Sequence, residues 1–154
     1  MLGTLARKTA AVLGALTLGC VLAAGLATSA SAAQTSPDHS CDAGDFCVFT
    51  DYIWGDAGGQ TWAWQGDDLD WCYHGGPCNN DHSWENAGNL DGSGYYDVVI
   101  YNQGNHSSGS VHNPTLCVPL NHTGAGYEVP SADGQGSAHR WVRGGCPGGV
   151  PVLS

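Results

Sequence analysis

The sequence predicts an all-β domain, on three observations. Short apolar runs alternate with polar residues at the period of two, Gly and Pro clusters cut each run after a few residues, and no long stretch keeps a helical period free of Gly and Pro. In chain order, residues 45–50 alternate around Phe46, Val48 and Phe49. Residues 60–65 set Trp62 and Trp64 on one face and Thr61 and Ala63 on the other. Two Trp on one face suit the filling of a core. Residues 95–101, with Val98, Val99 and Ile100, form the strongest β run. Residues 116–120 and 139–143 complete the set, with 127–129 as a shorter candidate. Gly58-Gly59, Gly75-Gly76-Pro77, Gly88 to Gly94 and Gly144 to Gly149 supply the breaks.

The first 32 residues read as an export signal. Arg7 and Lys8 precede an uncharged Ala/Leu/Gly/Val run, and the small residues Ala30-Ser31-Ala32 match a signal peptidase site. Cleavage after Ala32 of the 154-residue chain leaves 122 residues, 33–154, which is one domain. The expected product is secreted, extracellular and monomeric. Its only basic residues are Arg140 and Arg143 against fourteen acids, a net charge of −12 with His neutral. That field repels phosphate backbones and anionic lipid, so nucleic acid and membrane are not expected partners.

Cys20 falls in the signal segment, and six cysteines remain. An even number in an exported chain reads as three disulfides, with fifteen pairings possible on paper. Spacing favours two of them. Cys41 and Cys47 enclose five residues, as do Cys72 and Cys78, which leaves Cys117 for Cys146. No C-x-x-C pair supports zinc, and no metal site is expected.

A weak internal repeat runs through the mature chain at about 53 residues. Phe49 precedes Tyr101 by 52, Trp62 precedes Leu116 by 54, and Ser83 precedes Ser137 by 54. One Greek-key unit cannot bury its apolar face alone, whereas two packed face to face can.

These residues also resemble a known family. Cys41-Asp42-Ala43-Gly44-Asp45-Phe46-Cys47-Val48-Phe49-Thr50-Asp51, followed by Trp54-Gly55 and an apparent extra turn at Ala57-Gly58-Gly59, is similar to the opening of exported actinobacterial proteins of peptidase inhibitor family thirty-six. Asn79-Asn80-Asp81-His82-Ser83-Trp84 resembles the closing motif of a crystallin-type unit in all but its last place. Asp133 to Ala138 matches it in the first and fifth places. The resemblance implies two Greek-key units packed as a βγ-crystallin-like, disulfide-bonded sandwich. It further implies a secreted inhibitor of metallopeptidases whose partner is an extracellular peptidase. Weak calcium binding through Asn79, Asn80 and Ser83 is its secondary implication. Gly134 and Ala138 stand where oxygen ligands belong in the second loop, so hydrogen bonding of folded hairpins by Ser83 and Ser137 is the preferred role.

Catalysis is not expected. The chain has no G-x-S-x-G elbow and no H-E-x-x-H helix, and Asp67, Asp68 and Asp70 read as a solvated turn. The seven His, at 39, 74, 82, 106, 112, 122 and 139, read as surface residues. Asn105 and Asn121 fit the glycosylation pattern, which a bacterial exporter leaves bare. The alternative to inhibition is a calcium-binding or cell-wall/carbohydrate-binding module, because six Trp could stack on sugars.

The family's founding inhibitor presents a Cys-Val bond after a β hairpin. The matching segment here is Thr115-Leu116-Cys117-Val118-Pro119-Leu120, after a turn around Asn105 to Gly109. Cys117 and Val118 are therefore the expected inhibitory contact, with Val118 suited to the apolar pocket of thermolysin-like enzymes; the competing and preferred reading makes Leu116, Val118 and Leu120 one buried strand face. A disulfide at Cys117 would hold the bond extended. Two departures stand out: the second Cys expected a few residues on is missing, and Pro119 removes a backbone N–H.

Overall fold

The computed structural model describes residues 41–52 and 59–154. The expected export signal at residues 1–32, with Cys20, His39, Trp54-Gly55 and Ala57-Gly58, lies outside the described residues. Among the described residues, seven strands and one helical turn follow in order: β1 (Phe46–Phe49), β2 (Thr61–Trp64), α1 (Trp71–His74), β3 (Ser83–Asn86), β4 (Tyr95–Asn105), β5 (Ser110–Val118), β6 (Thr123–Ala125) and β7 (Ala138–Arg143). They form two antiparallel sheets, ordered β2-β1-β3-β6 and β5-β4-β7. The described residues are all-β apart from α1. That turn is capped by the Asp70 carboxylate, which accepts from the Tyr73 N–H, and ends on Gly75 in the left-handed region.

Each half of the chain builds most of one sheet and lends one segment to the other. β6 belongs to the second half but pairs with β3, and Asp68 of the first half bridges His139 of β7. The fourth segment of each half returns beside its first: β3 pairs with β1, and β7 with β4. The registers repeat as well. Val48 faces Trp62 and Trp84, while Ile100 faces Leu116 and His139. The crossing loops exchange reciprocal bonds, Asn79 N–H to Gly136 O at 2.7 Å and Gly134 N–H to Asp81 O at 2.8 Å. The inner faces bury Phe46, Val48, Trp64, Trp71, Trp84, Val98, Ile100, Leu116, Val118 and Leu153, with Trp64 stacked on Trp71 at 5.4 Å between centroids.

Three disulfides form, Cys41–Cys47, Cys72–Cys78 and Cys117–Cys146. Three expectations need correction. Residues 127–129 make a turn instead of a strand, because Glu128 and Val129 donate back to Ala125 and Gly126. The strand expected at 116–120 begins at Ser110 and stops at Val118, before Pro119, which has no N–H to continue a ladder. The polar segment Ser83–Asn86, not expected as a strand, is a central one. Among the described residues no helix is long and apolar enough to cross a membrane.

Candidate functional site

The expected inhibitory contact lies inside the sandwich. Cys117 and Val118 are both 0 % exposed. Val99 and Val98 face them from β4, and on the other side Cys117 donates its N–H to Pro151 O and accepts from Leu153 N–H. Cys117 also bonds Cys146, so the C-terminal segment is tied over this part of β5. A valine side chain that fills the core cannot also fill a pocket on a peptidase, so the folded chain does not present this bond. The accessible part of the segment is upstream, where His112, Asn113 and Pro114 are exposed on a strand that forms the edge of its sheet.

The paired closing loops are held by their own side chains. Ser83 Oγ donates to Asp51 O at 2.7 Å, which folds the chain after β1 back over the start of β3. Ser137 Oγ donates to Asn79 Oδ1 at 3.0 Å across the two halves. In the second loop Asp133 meets a histidine, with Asp133 Oδ1 2.7 Å from His82 Nδ1, and its Oδ2 accepts from Tyr52 Oη at 2.7 Å. Among the described residues no group of three or more His, Cys, Asp or Glu side chains is arranged to hold a metal ion.

Of the turn expected to be solvated, Asp67 is exposed and Asp70 partly so, whereas Asp68 is buried. Asp68 accepts from Trp64 Nε1 at 3.0 Å and Asp70 N–H at 3.0 Å, with His74 Nδ1 at 2.8 Å. Asp67 accepts from the Trp141 N–H at 2.9 Å. All three carboxylates fasten the β2–α1 connection to its neighbours. Asp70 Oδ2, His106 Nδ1 and Ser107 Oγ also form a hydrogen-bonded series at 3.3 and 3.0 Å. The order is that of a hydrolase triad, yet His106 and Ser107 lie exposed on the β4–β5 turn, where water competes for every bond.

His139 breaks the pattern of surface histidines. It is 0 % exposed, accepts at Nδ1 from Trp71 Nε1 (2.9 Å) and donates from Nε2 to Gly66 O (2.8 Å). Both bonds suit the neutral ring, and burial pushes its pKa down to about 4. Asp81 is equally buried, with Oδ1 accepting from Gly136 N–H and Oδ2 from Trp84 Nε1. Its desolvation outweighs those bonds and raises its pKa to about 7. Sequence reasoning missed both, since nothing in a sequence separates a buried His or Asp from an exposed one. Comparison of the chain with protein-family models, with curated proteins and with solved structures finds no match.

Proposed function

We propose that this chain is a secreted inhibitor of extracellular metallopeptidases, built as a βγ-crystallin-like sandwich of two Greek-key units and acting without catalysis. The observation that supports the architectural part of this reading is the exchange between halves. In a Greek key the fourth strand returns beside the first. β3 returns beside β1 and β7 beside β4, while the third segment of each half joins the opposite sheet. This supports the crystallin-like arrangement implied by the opening from Cys41 to Asp51. Three disulfides suit an oxidising, extracellular compartment.

A fold does not carry an activity with it, so inhibition rests on the family resemblance and on what β5 can offer. With Cys117–Val118 enclosed, the contact moves to the exposed edge at His112, Asn113 and Pro114. This edge is kinked, with Asn113 at φ +55° and Pro114 lacking an N–H. What it offers a peptidase is a pre-ordered bulge, held by the disulfide at Cys117, in place of an extended strand. The test is titration of purified mature protein against thermolysin-like, serine and cysteine peptidases. Loss of activity confined to the thermolysin-like enzyme supports the reading, and loss confined to another class moves the target. Full activity of every class with the protein in excess removes the proposal.

A further inference from the structure

A groove of about 610 Å³ opens where the segment before β1 meets the β2–α1 and β3–β4 connections and β7. The volume falls in the ~300–1,000 Å³ range of small-ligand sites. Gln65, Asp67, Asn89, Asp91, Tyr95 and Trp141 are among its lining residues.

Trp141 is the telling residue. Opposite Phe46 of β1 stands Asn86, and opposite Val98, the matching place on β4, stands Trp141. Asn86 is a structural tie, buried and donating from Nδ2 to Tyr96 O and Val118 O. Its counterpart is a partly exposed indole whose Nε1 is buried without a partner, so the part of Trp141 reaching the surface is ring carbon. Tyr95 is 51 % exposed, and its ring is held by the Arg143 guanidinium, 5.2 Å from the centroid. Arg143 is itself anchored on Ser93 O.

The polar walls are fixed before any ligand arrives. Asp67 is fastened by the Trp141 N–H, and Asp91 accepts from Ser93 N–H at 2.8 Å. Gly44 has φ +103° and packs so closely on Asn89 that a Cβ would lie 2.8 Å from Nδ2. The charges in the groove's own lining are the Asp67 and Asp91 carboxylates. Arg140 and Arg143 are not part of that lining: Arg140 Nε stands 4.0 Å from Asp67 Oδ2, and Arg143 donates to Ser93 O.

We infer that this groove binds a neutral oligosaccharide. The C–H face of a sugar ring packs on flat aromatic carbon, and its hydroxyls donate to carboxylates and accept from amides. The two lining carboxylates repel an anion, and both accept hydrogen bonds as a hydroxyl-rich neutral ligand requires. This site is separate from the β5 edge proposed for peptidases.

Calorimetric titration of the mature protein with cellohexaose, xylohexaose, laminarihexaose and chitohexaose tests it. Saturable binding of at least one is expected. Tyr95→Ala should weaken that binding about tenfold, as loss of a ring contact implies. Trp141→Phe, which keeps an aromatic ring in place, should weaken it less. Tyr127→Ala, at a tyrosine 63 % exposed and outside the groove, should leave it unchanged. Absence of binding to all four by a folded protein overturns the inference, as does equal affinity in a folded Tyr95→Ala protein.

Discussion

Asp81 and His139 sit within the two halves of the sandwich and pull the pH dependence of stability in opposite directions. The Asp81 carboxyl is raised from its ordinary value near 3.8 to about 7 in the fold, chiefly by desolvation. The folded chain therefore holds a proton that the unfolded chain has released, and Asp81's contribution is lost as pH rises through about 7. His139 is lowered from 6.5 to about 4, again chiefly by burial, so its contribution is lost as pH falls through that interval. Protonation at Nδ1 would turn it against the Trp71 N–H that it now accepts. Between about pH 4 and 6.5 the two slopes oppose each other and largely cancel. Asp81→Asn should remove one slope, leaving a protein whose denaturant midpoint climbs with pH across this interval. His139→Gln should do the reverse, and urea melts at half-unit pH steps measure both. Asp81→Asn should also cost about 1–3 kcal/mol, because an amide N–H would face one of two fixed donors. Parallel pH profiles for all three proteins would contradict this pairing of effects.

Among the elements, β5 carries the plainest consequence. Val118 is enclosed, so Val118→Asp should destabilise the fold on the order of 4 kcal/mol by burying an unpaired carboxylate. Chemical denaturation followed by circular dichroism measures it, and a midpoint matching the native chain would contradict the burial. Loss of inhibition by that variant would thus report unfolding and not a contact. The burial of β5 was foreshadowed by the alternation of Leu116, Val118 and Leu120, although a substrate-like loop reads the same way. β2 was legible because Trp62 and Trp64 alternate with Thr61 and Ala63, and β1, β4 and β7 because short runs of aromatic and β-branched residues stand between polar or Gly-rich breaks. β3 was not, because Ser83 and Asn86 are buried by bonding Asp51 O, Tyr96 O and Val118 O, and such partners leave no hydrophobic pattern. β6 was hidden for another reason. Gly124 is required there by close packing, since a Cβ would clash with the Leu153 and Glu128 side chains, and glycine reads as a break. The groove was also out of reach, since residues from 43 to 141 meet there only through the packing of the sheets.

At the scale of the whole molecule, three cross-links and an internal repeat hold a small core together. The pairing was readable because two Cys pairs share a separation of six, which left the distant pair by elimination. The repeat was readable at 52 for β1 and β4, and at 54 for β2 and β5. It slips to 55 at β3 and β7, so that Trp84 corresponds to His139, one place off the serine match at Ser83 and Ser137. Cys117–Cys146 closes a separation of 29 and ties the C-terminal segment over β5. Its removal by Cys117→Ala with Cys146→Ala should cost about 1 kcal/mol more than loss of Cys41–Cys47, on loop entropy alone. Thermal melts of the two double variants decide it, and an equal or smaller loss at Cys117–Cys146 would count against the tie.

The central claim, that the intact sandwich blocks a peptidase by its surface, is tested most directly by stoichiometry. Residual activity of a thermolysin-like enzyme should fall linearly to near zero as mature protein reaches about equimolar amounts. Mass analysis after reduction should then recover the chain uncut between Cys117 and Val118, because that bond is enclosed. Undiminished peptidase activity at a large molar excess, or rapid cleavage at Cys117–Val118 by the enzyme, would contradict the account.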